Sequence, residues 1–142
     1  MKDDVFGELN YHNGWEKELV CEFWNAGSVM IKISAYENEM PNQNQKDAYR
    51  RFLDDLNLIS GMSRRKMEEY LSAIAEDILP YCKIHSMPDD ICSLVTVNHI
   101  LFMESGNFAV MCDAEWDDHG AAVLCMETKM TAGPQDIVWM YE

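Results

Sequence analysis

Hydrophobic and polar residues alternate in the first third of the chain. The hydrophobic set is Trp15, Leu19, Cys21 and Phe23, and the acidic set between them is Glu16, Glu18 and Glu22. A period of two predicts a strand with one buried face and one solvent-exposed face. Turn residues at 12–14 and 25–27 separate this segment from its neighbours. Three strands are therefore predicted as a β-meander, near residues 5–11, 15–24 and 28–36.

The middle third of the chain changes to a helical period. Hydrophobic residues recur there at spacings of four, four and three: Ala48, Phe52, Leu56 and Ile59. This spacing predicts a helix that begins after the Pro41-Asn42 boundary. A second helix is predicted from Ser63, which can cap a helix N-terminus, with Gly61 between the two helices. Pro80 is expected to end or kink the second helix.

The last third returns to a strand-like pattern. Four segments rich in hydrophobic and aromatic residues are predicted as strands: residues 95–103, 108–116, 121–128 and 136–141. Turn residues separate them at 105–107, 118–120 and 132–134. The predicted fold class is α+β, in a single domain over residues 1–142. It has a mostly antiparallel sheet in the order βββ-αα(α)-ββββ, with a helical hairpin packed on one face.

Charge is distributed unevenly along this pattern. The 142 residues include 11 Lys and Arg against 25 Asp and Glu, and the formal net charge is −14. Residues 42–85, the helical segment, carry seven basic and seven acidic side chains, so the whole excess belongs to the strand segments. Such an excess of acid argues against binding to nucleic acid or to an anionic membrane. The expected partner is therefore a basic protein.

The cysteines and the N-terminal residues indicate a compartment. The N-terminal residues lack the features of a signal peptide, and no apolar stretch approaches the roughly 18 residues of a membrane span. Five cysteines without a Cys-x-x-Cys pair are expected to be reduced core residues rather than a disulfide framework. These features predict a cytoplasmic protein.

Residues 113–120, Asp-Ala-Glu-Trp-Asp-Asp-His-Gly, form the strongest candidate for chemistry. On a strand, Asp113, Glu115 and Asp117 would project from one face, with His119 at the adjoining turn. Three carboxylates with one imidazole could hold a divalent ion such as Mg²⁺ or Mn²⁺. The alternative is a hairpin whose exposed face is acidic and whose turn contains His119. The acidic hairpin is favoured, because no spacing in this segment is diagnostic of a metal site.

Signatures of other chemistry are absent from the sequence. It contains neither a G-x-S-x-G motif nor a glycine-rich phosphate loop. The cysteines lie in apolar runs, where burial is expected to raise their thiol pKa values. His99 shares a strand parity with hydrophobic residues and is expected to be half-buried and hydrogen-bonded. No catalytic residue and no cofactor is therefore assigned.

The residues predicted to contact a partner lie on strand faces. If one parity of the sheet is open, Trp24 would share that face with the acidic residues of its strand. An exposed aromatic side chain surrounded by acids is typical of a contact site for a basic protein. The candidate contacts are Glu16, Glu18, Glu22, Trp24, Asp113, Glu115 and Asp117.

Four short motifs occur along the chain in a recognisable order. They are Phe6-Gly7-Glu8-Leu9 followed by Trp15, Ala48-Tyr49-Arg50-Arg51-Phe52, Glu115-Trp116-Asp117 followed by His119-Gly120, and Gly133-Pro134-Gln135-Asp136. Together they resemble an uncharacterised bacterial family of a domain of unknown function, whose members are small acidic cytosolic proteins. The resemblance covers nearly the whole chain and implies no activity and no catalytic residue. By analogy, it implies an immunity protein that neutralises a toxin.

Two functions are compared on this basis. The first is a non-enzymatic acidic binding protein, an immunity-type inhibitor of a basic toxin. The alternative is a divalent-metal-dependent hydrolase that uses Asp113, Glu115, Asp117 and His119. A third interpretation is that the acidity only maintains the solubility of an accessory subunit or oligomer.

Overall fold

Two groups of strands enclose a helical segment in the computed structural model, which describes residues 1–140. The strands are β1 (Lys2–Asp3), β2 (Gly7–Glu8), β3 (Asn10–Tyr11), β4 (Trp15–Phe23), β5 (Ala26–Ile33), β6 (Val95–Phe102), β7 (Phe108–Ala114), β8 (Asp117–Cys125) and β9 (Met130–Pro134). The helices are α1 (Gln43–Asp54), α2 (Leu56–Ala73), α3 (Ala75–Cys82), a short 3-10 helix (Ile91–Ser93) and α4 (Asp136–Trp139). The fold class is α+β, as predicted. Among residues 1–140, no helix is long and apolar enough to cross a membrane.

A seven-stranded sheet in the order β3-β4-β5-β6-β7-β8-β9 is the framework of the protein. Every neighbouring pair is antiparallel except β5 and β6, which run parallel. In this parallel pair Ile31 lies opposite Ile100, and Ile33 lies opposite Phe102. The prediction of a mostly antiparallel sheet is therefore confirmed. We call the β5–β6 pair the parallel seam.

Helices α1 and α2 cover one face of the sheet with a large hydrophobic core. Strand residues such as Ile31 and Val123 pack there with Met67 and Leu71 of α2. Aromatic rings fill the middle of this core: Phe6, Tyr49, Phe52, Phe102 and Phe108. Neighbouring rings in this group lie between 4.4 and 6.5 Å apart. This burial is the main stabilising contribution to the fold.

The start of α1 is fixed by a reciprocal capping box. The Asn42 side chain accepts a hydrogen bond from the Gln45 backbone N–H at 2.8 Å, and the Gln45 side chain accepts one from the Asn42 backbone N–H at 2.9 Å. The buried Gln45 amide also donates to the carbonyl oxygens of Ser34 and Phe102. Gln45 thus links the start of α1 to the end of β6 and to Ser34, the residue that follows β5. The helix boundary predicted at Pro41-Asn42 is confirmed.

The second helix begins earlier than the sequence pattern predicted. Helix α2 starts at Leu56, and Gly61 and Ser63 both lie inside it rather than at its start. Gly61 is tolerated within the helix because a Cβ atom added there would meet nothing within 4 Å. Its cost is limited to the lower helix propensity of glycine, about 1 kcal/mol. Pro80 lies in the last turn of α3, which ends two residues later at Cys82.

The C-terminal strand predicted at residues 136–141 is wrong. Residues 136–139 form α4, and the predicted turn at 132–134 is the end of β9, where Gly133 and Pro134 pair with β8. The short helix places Val138 against the second face of the sheet, in a small cluster with Met111 and Leu124. Tertiary burial therefore decides the conformation of this segment. Residue 141 of the predicted strand lies outside the described residues.

Candidate functional site

The sheet face opposite α1 and α2 is covered over β7 and β8 and open over β4, β5 and β6. Helix α4 and the cluster around Val138 cover the face over β7 and β8. Over β4, β5 and β6, no helix within residues 1–140 covers the same face, and several of its side chains are exposed. We call this surface the open face. Its side chains are Glu16, Glu18, Val20, Glu22, Ser28, Met30, Lys32 and His99. It is bordered by Asp113 of β7 and by Leu101 of β6, which packs against the cluster around Val138.

Four of the predicted contact residues lie on the open face. Glu18 and Glu22 of β4 are exposed and Glu16 is half-buried, whereas Trp15 and Phe23 of the other parity are buried. Met30 of β5 lies opposite Glu18, and His99 of β6 lies opposite Met30, so these residues share the open face. The strand parity predicted from the sequence is therefore confirmed for β4.

Asp113 joins the open face from β7. Its neighbours Cys112 and Ala114 pack toward the helices, so the Asp113 side chain projects to the opposite side. The Asp113 carboxylate accepts a hydrogen bond from the Asn98 amide at 3.1 Å. With the three glutamates it brings four carboxylates to a face that holds one ammonium group, that of Lys32.

His99 lies in the open face with the burial and hydrogen bonding predicted for it. Its Nδ1 atom lies 2.8 Å from the side-chain oxygen of Asn98. Burial first, and then the charge of Lys32, lower the pKa of His99 to about 4, while the Asp113 carboxylate acts in the opposite direction. The imidazole is therefore neutral at pH 7 and does not offset the acidic charge of this face.

The low pKa of His99 makes stability depend on pH. In the unfolded chain the imidazole takes up a proton near pH 6.5, but in the folded chain only near its pKa of about 4. The unfolded state therefore binds more protons between these values, and stability falls as the pH is lowered through this range. Because His99 is partly solvent-exposed, we expect a loss of about 1–2 kcal/mol relative to His99→Gln. Urea unfolding of both proteins from about pH 7 to about pH 4 measures this difference; equal pH dependence would contradict it.

Trp24 does not lie on the open face, contrary to the prediction. It is only 5% exposed, its ring stacks on Phe23, and its indole N–H donates to the Ser63 hydroxyl at 3.0 Å. Trp24 and Asn25 both have positive φ, of 49° and 68°, and form the two-residue turn between β4 and β5. This left-handed turn ends the strand alternation and carries the indole to the helix side.

Glu115, Asp117 and His119 do not share one face with Asp113, which corrects the predicted arrangement. Glu115 lies in the hairpin turn after β7, and Asp117 begins β8 opposite Ala114, which packs toward the helices. The His119 Nδ1 atom lies 3.4 Å from Asp117, and its backbone N–H donates to the same carboxylate. Within residues 1–140, no three His, Cys, Asp or Glu side chains are grouped to hold a metal ion. The hydrolase alternative therefore has no ligand set here.

The turn predicted at residues 118–120 is part of strand β8. Gly120 has φ of +79° and lies beside a register shift, where residues 118–120 face Asp113 alone. A Cβ atom at Gly120 would lie 2.3 Å from the Cys112 carbonyl oxygen. Glycine is therefore needed at this position for a β-bulge in β8, and not for the turn of the hairpin.

All five cysteines are free thiols, and their pKa values are raised mainly by burial. For the buried Cys125, the pKa reaches about 12. A thiol with a raised pKa carries little thiolate at neutral pH and is a poor nucleophile. The expectation that burial raises these pKa values is confirmed.

Sequence reasoning missed the apolar part of the open face. Val20 is 80% exposed between Glu18 and Glu22, and Met30 of β5, which lies opposite Glu18, is half-buried. Val20 shares the parity of the two glutamates, so its position was present in the alternation. The open face is therefore apolar in places and acidic in others, as protein-contact surfaces commonly are.

Comparison with known proteins places the chain in a family. A family model described as a domain of unknown function (DUF6985) matches residues 5–139, which include the whole seven-stranded sheet. No curated protein and no solved structure matches the chain. Because the match covers nearly the whole chain, the protein belongs to the DUF6985 family.

Proposed function

We propose that the protein is a non-catalytic binding protein whose open face binds a basic protein. The observation that supports this most directly is the charge of that face. Glu16, Glu18 and Glu22 of β4 and Asp113 at the border on β7 bring four carboxylates to the open face, where Lys32 carries the one ammonium group. Such a field attracts a positively charged partner and accelerates its association.

The form of this function that we propose is an immunity-type inhibitor of a basic toxin. Fast capture suits an inhibitor that must bind its target before the target acts, and electrostatic steering provides it. The formal net charge of −14 extends the attraction beyond the contact surface. Apolar Val20 and half-buried Met30 offer contacts that exclude water once the partner has bound.

Neutralising the open face is expected to slow association with the partner. The variant carries Glu16→Gln, Glu18→Gln, Glu22→Gln and Asp113→Asn. A basic protein is first captured with the wild-type chain from an extract of the organism that encodes it, and is then purified. By stopped-flow mixing at low salt, we expect the variant to associate at least about tenfold more slowly, because long-range attraction is lost. At high salt the two rates should converge.

A matched control carries the same change of charge elsewhere. Glu37, Glu39, Glu104 and Glu127 are exposed and lie in connections outside the open face. With all four replaced by glutamine, association should stay within about threefold of wild type. Equal slowing in both variants would show that only the net charge matters. Failure to capture any basic protein at low salt would contradict the proposed function itself.

A further inference from the structure

Strand β4 has a free edge along most of its length. Strand β3 pairs with Trp15 and Glu16 alone, whereas β4 continues to Phe23. Among the residues that the structure describes, β4 has β5 on one side from Lys17 to Glu22 and no strand on the other. Within residues 1–140, no hydrogen bond joins the outward-facing backbone of this segment to another part of the chain. We call this segment the β4 edge; its backbone donors and acceptors are available to an added strand.

The side chains along the β4 edge are arranged with a period of two. Glu18, Val20 and Glu22 point to the open face and are exposed. On the other face, Lys17 is held in place because its ammonium group donates to the Phe6 carbonyl oxygen at 2.6 Å. A strand added here would therefore meet two carboxylates at alternate positions on one face, with an apolar side chain between them.

The charges of Glu18 and Glu22 determine which kind of strand can pair with the β4 edge. A second copy of the chain would pair its β4 antiparallel to the first, and a pair centred on Val20 would place Glu18 of each copy opposite Glu22 of the other. Like charges directly opposite each other are destabilising in a sheet, so self-pairing is disfavoured. A strand with lysine or arginine at two positions four residues apart would instead place opposite charges across the new pair.

The length of the occupant is limited by a register shift. The pairing of β4 with β5 is irregular between Val20 and Phe23, which bends the end of the strand. The β4 edge therefore accommodates a short segment of about six residues, from Lys17 to the bend at Glu22.

We propose that the β4 edge binds a short extended segment of a basic protein by β-strand addition. The backbone of the segment pairs with β4, and its two lysine or arginine side chains, four residues apart, face Glu18 and Glu22, with an apolar side chain opposite Val20. Backbone hydrogen bonds provide affinity in this mode, and the alternate side chains provide specificity. The inference rests on the proposed function, and it names the binding mode and the chemistry of the segment that binds.

The test uses a capped peptide of about seven residues, Thr-Lys-Thr-Val-Thr-Lys-Thr, whose valine lies opposite Val20 when its lysines lie opposite Glu18 and Glu22. Two further peptides carry N-methyl groups either on the lysines and the valine or on the threonines, which leaves the charge unchanged. In an added strand the N–H groups of alternate residues face β4, so one methylated peptide should bind at least about tenfold more weakly. The other should bind within about threefold of the unmodified peptide. Titration by NMR measures all three affinities, and slowed amide exchange in Lys17–Glu22 locates the peptide.

Charge reversal at the edge gives an independent measurement. Glu18→Lys with Glu22→Lys should weaken binding of the unmodified peptide at least about tenfold at low salt. Its matched control is Glu104→Lys with Glu127→Lys, two exposed residues in hairpin connections with the same change of charge. Circular dichroism and urea unfolding establish that both variants are folded.

The outcomes separate this inference from the proposed function. If both methylated peptides bind as tightly as the unmodified one, strand addition is overturned, while binding of basic partners to the open face stands. If the unmodified peptide does not bind at low salt, the inference is also overturned. In that case the proposed function is judged by capture of a basic protein and by the neutralised open-face variant.

Discussion

Replacing Phe102 by alanine is expected to destabilise the protein by about 4–5 kcal/mol. The ring is completely buried in the aromatic core, edge-on to Tyr49 and Phe52 at 5.5 and 5.7 Å and stacked on Phe108 at 5.4 Å. Truncation removes these contacts and leaves a cavity between the sheet and α1 that its neighbours fill only in part. Urea unfolding followed by circular dichroism measures the loss.

Two controls establish that the loss comes from the cavity. Phe102→Leu keeps much of the volume and should cost less than about 1.5 kcal/mol. Tyr36→Ala removes an aromatic ring that is 74% exposed, and it should change stability by less than about 0.5 kcal/mol. A Phe102→Ala protein as stable as the leucine variant would mean that the aromatic core is not close-packed.

Gly120→Ala is expected to cost about 3 kcal/mol and to open the β7–β8 hairpin. Its φ of +79° is unfavourable for a residue with a side chain. The added Cβ would also lie 2.3 Å from the Cys112 carbonyl oxygen, so the two strands must separate. Urea unfolding measures the cost, and NMR shift changes should extend along the hairpin.

Gly27→Ala is the matched control for this substitution. Gly27 also lies in a strand, but nothing is within 4 Å of the added Cβ and its φ is not in the left-handed region. We expect this substitution to destabilise the protein by less than about 0.5 kcal/mol. If both alanine variants were equally stable, the bulge at Gly120 would not need glycine.

The fold was predictable where local pattern and tertiary burial agree. The alternation in β4 and the start of α1 after Pro41-Asn42 both follow from neighbouring residues in the sequence, and both were predicted. The Glu115-Trp116 turn was missed because neither residue is a typical turn former, while Gly120 drew the prediction to the wrong place. Helix α4 was missed because its conformation depends on burial of Val138 against a sheet formed elsewhere in the sequence.

The sequence predicted the acidic charge of the open face, but it did not predict every residue that lies on that face. Strand parity alone places Glu16, Glu18 and Glu22 together. The position of Trp24 depended on a turn in which two non-glycine residues adopt positive φ, which strand alternation does not reveal. The placement of Asp113 on the same face depended on β6 lying beside β5, a pairing between residues distant in the sequence.

The parallel seam also determines how much of the sheet can form locally. Every other neighbouring pair of strands is joined by a short connection, whereas β5 and β6 are separated by residues 34–94. Closing a loop of that length costs on the order of 4 kcal/mol of chain entropy, far more than closing a hairpin. Gln45, within this loop, donates to Ser34 directly after β5 and to Phe102 at the end of β6, so the helical segment contributes directly to loop closure. The parallel seam is therefore the strand pairing of this sheet that joins the most distant parts of the sequence, and pairing of this kind raises the contact order and slows folding.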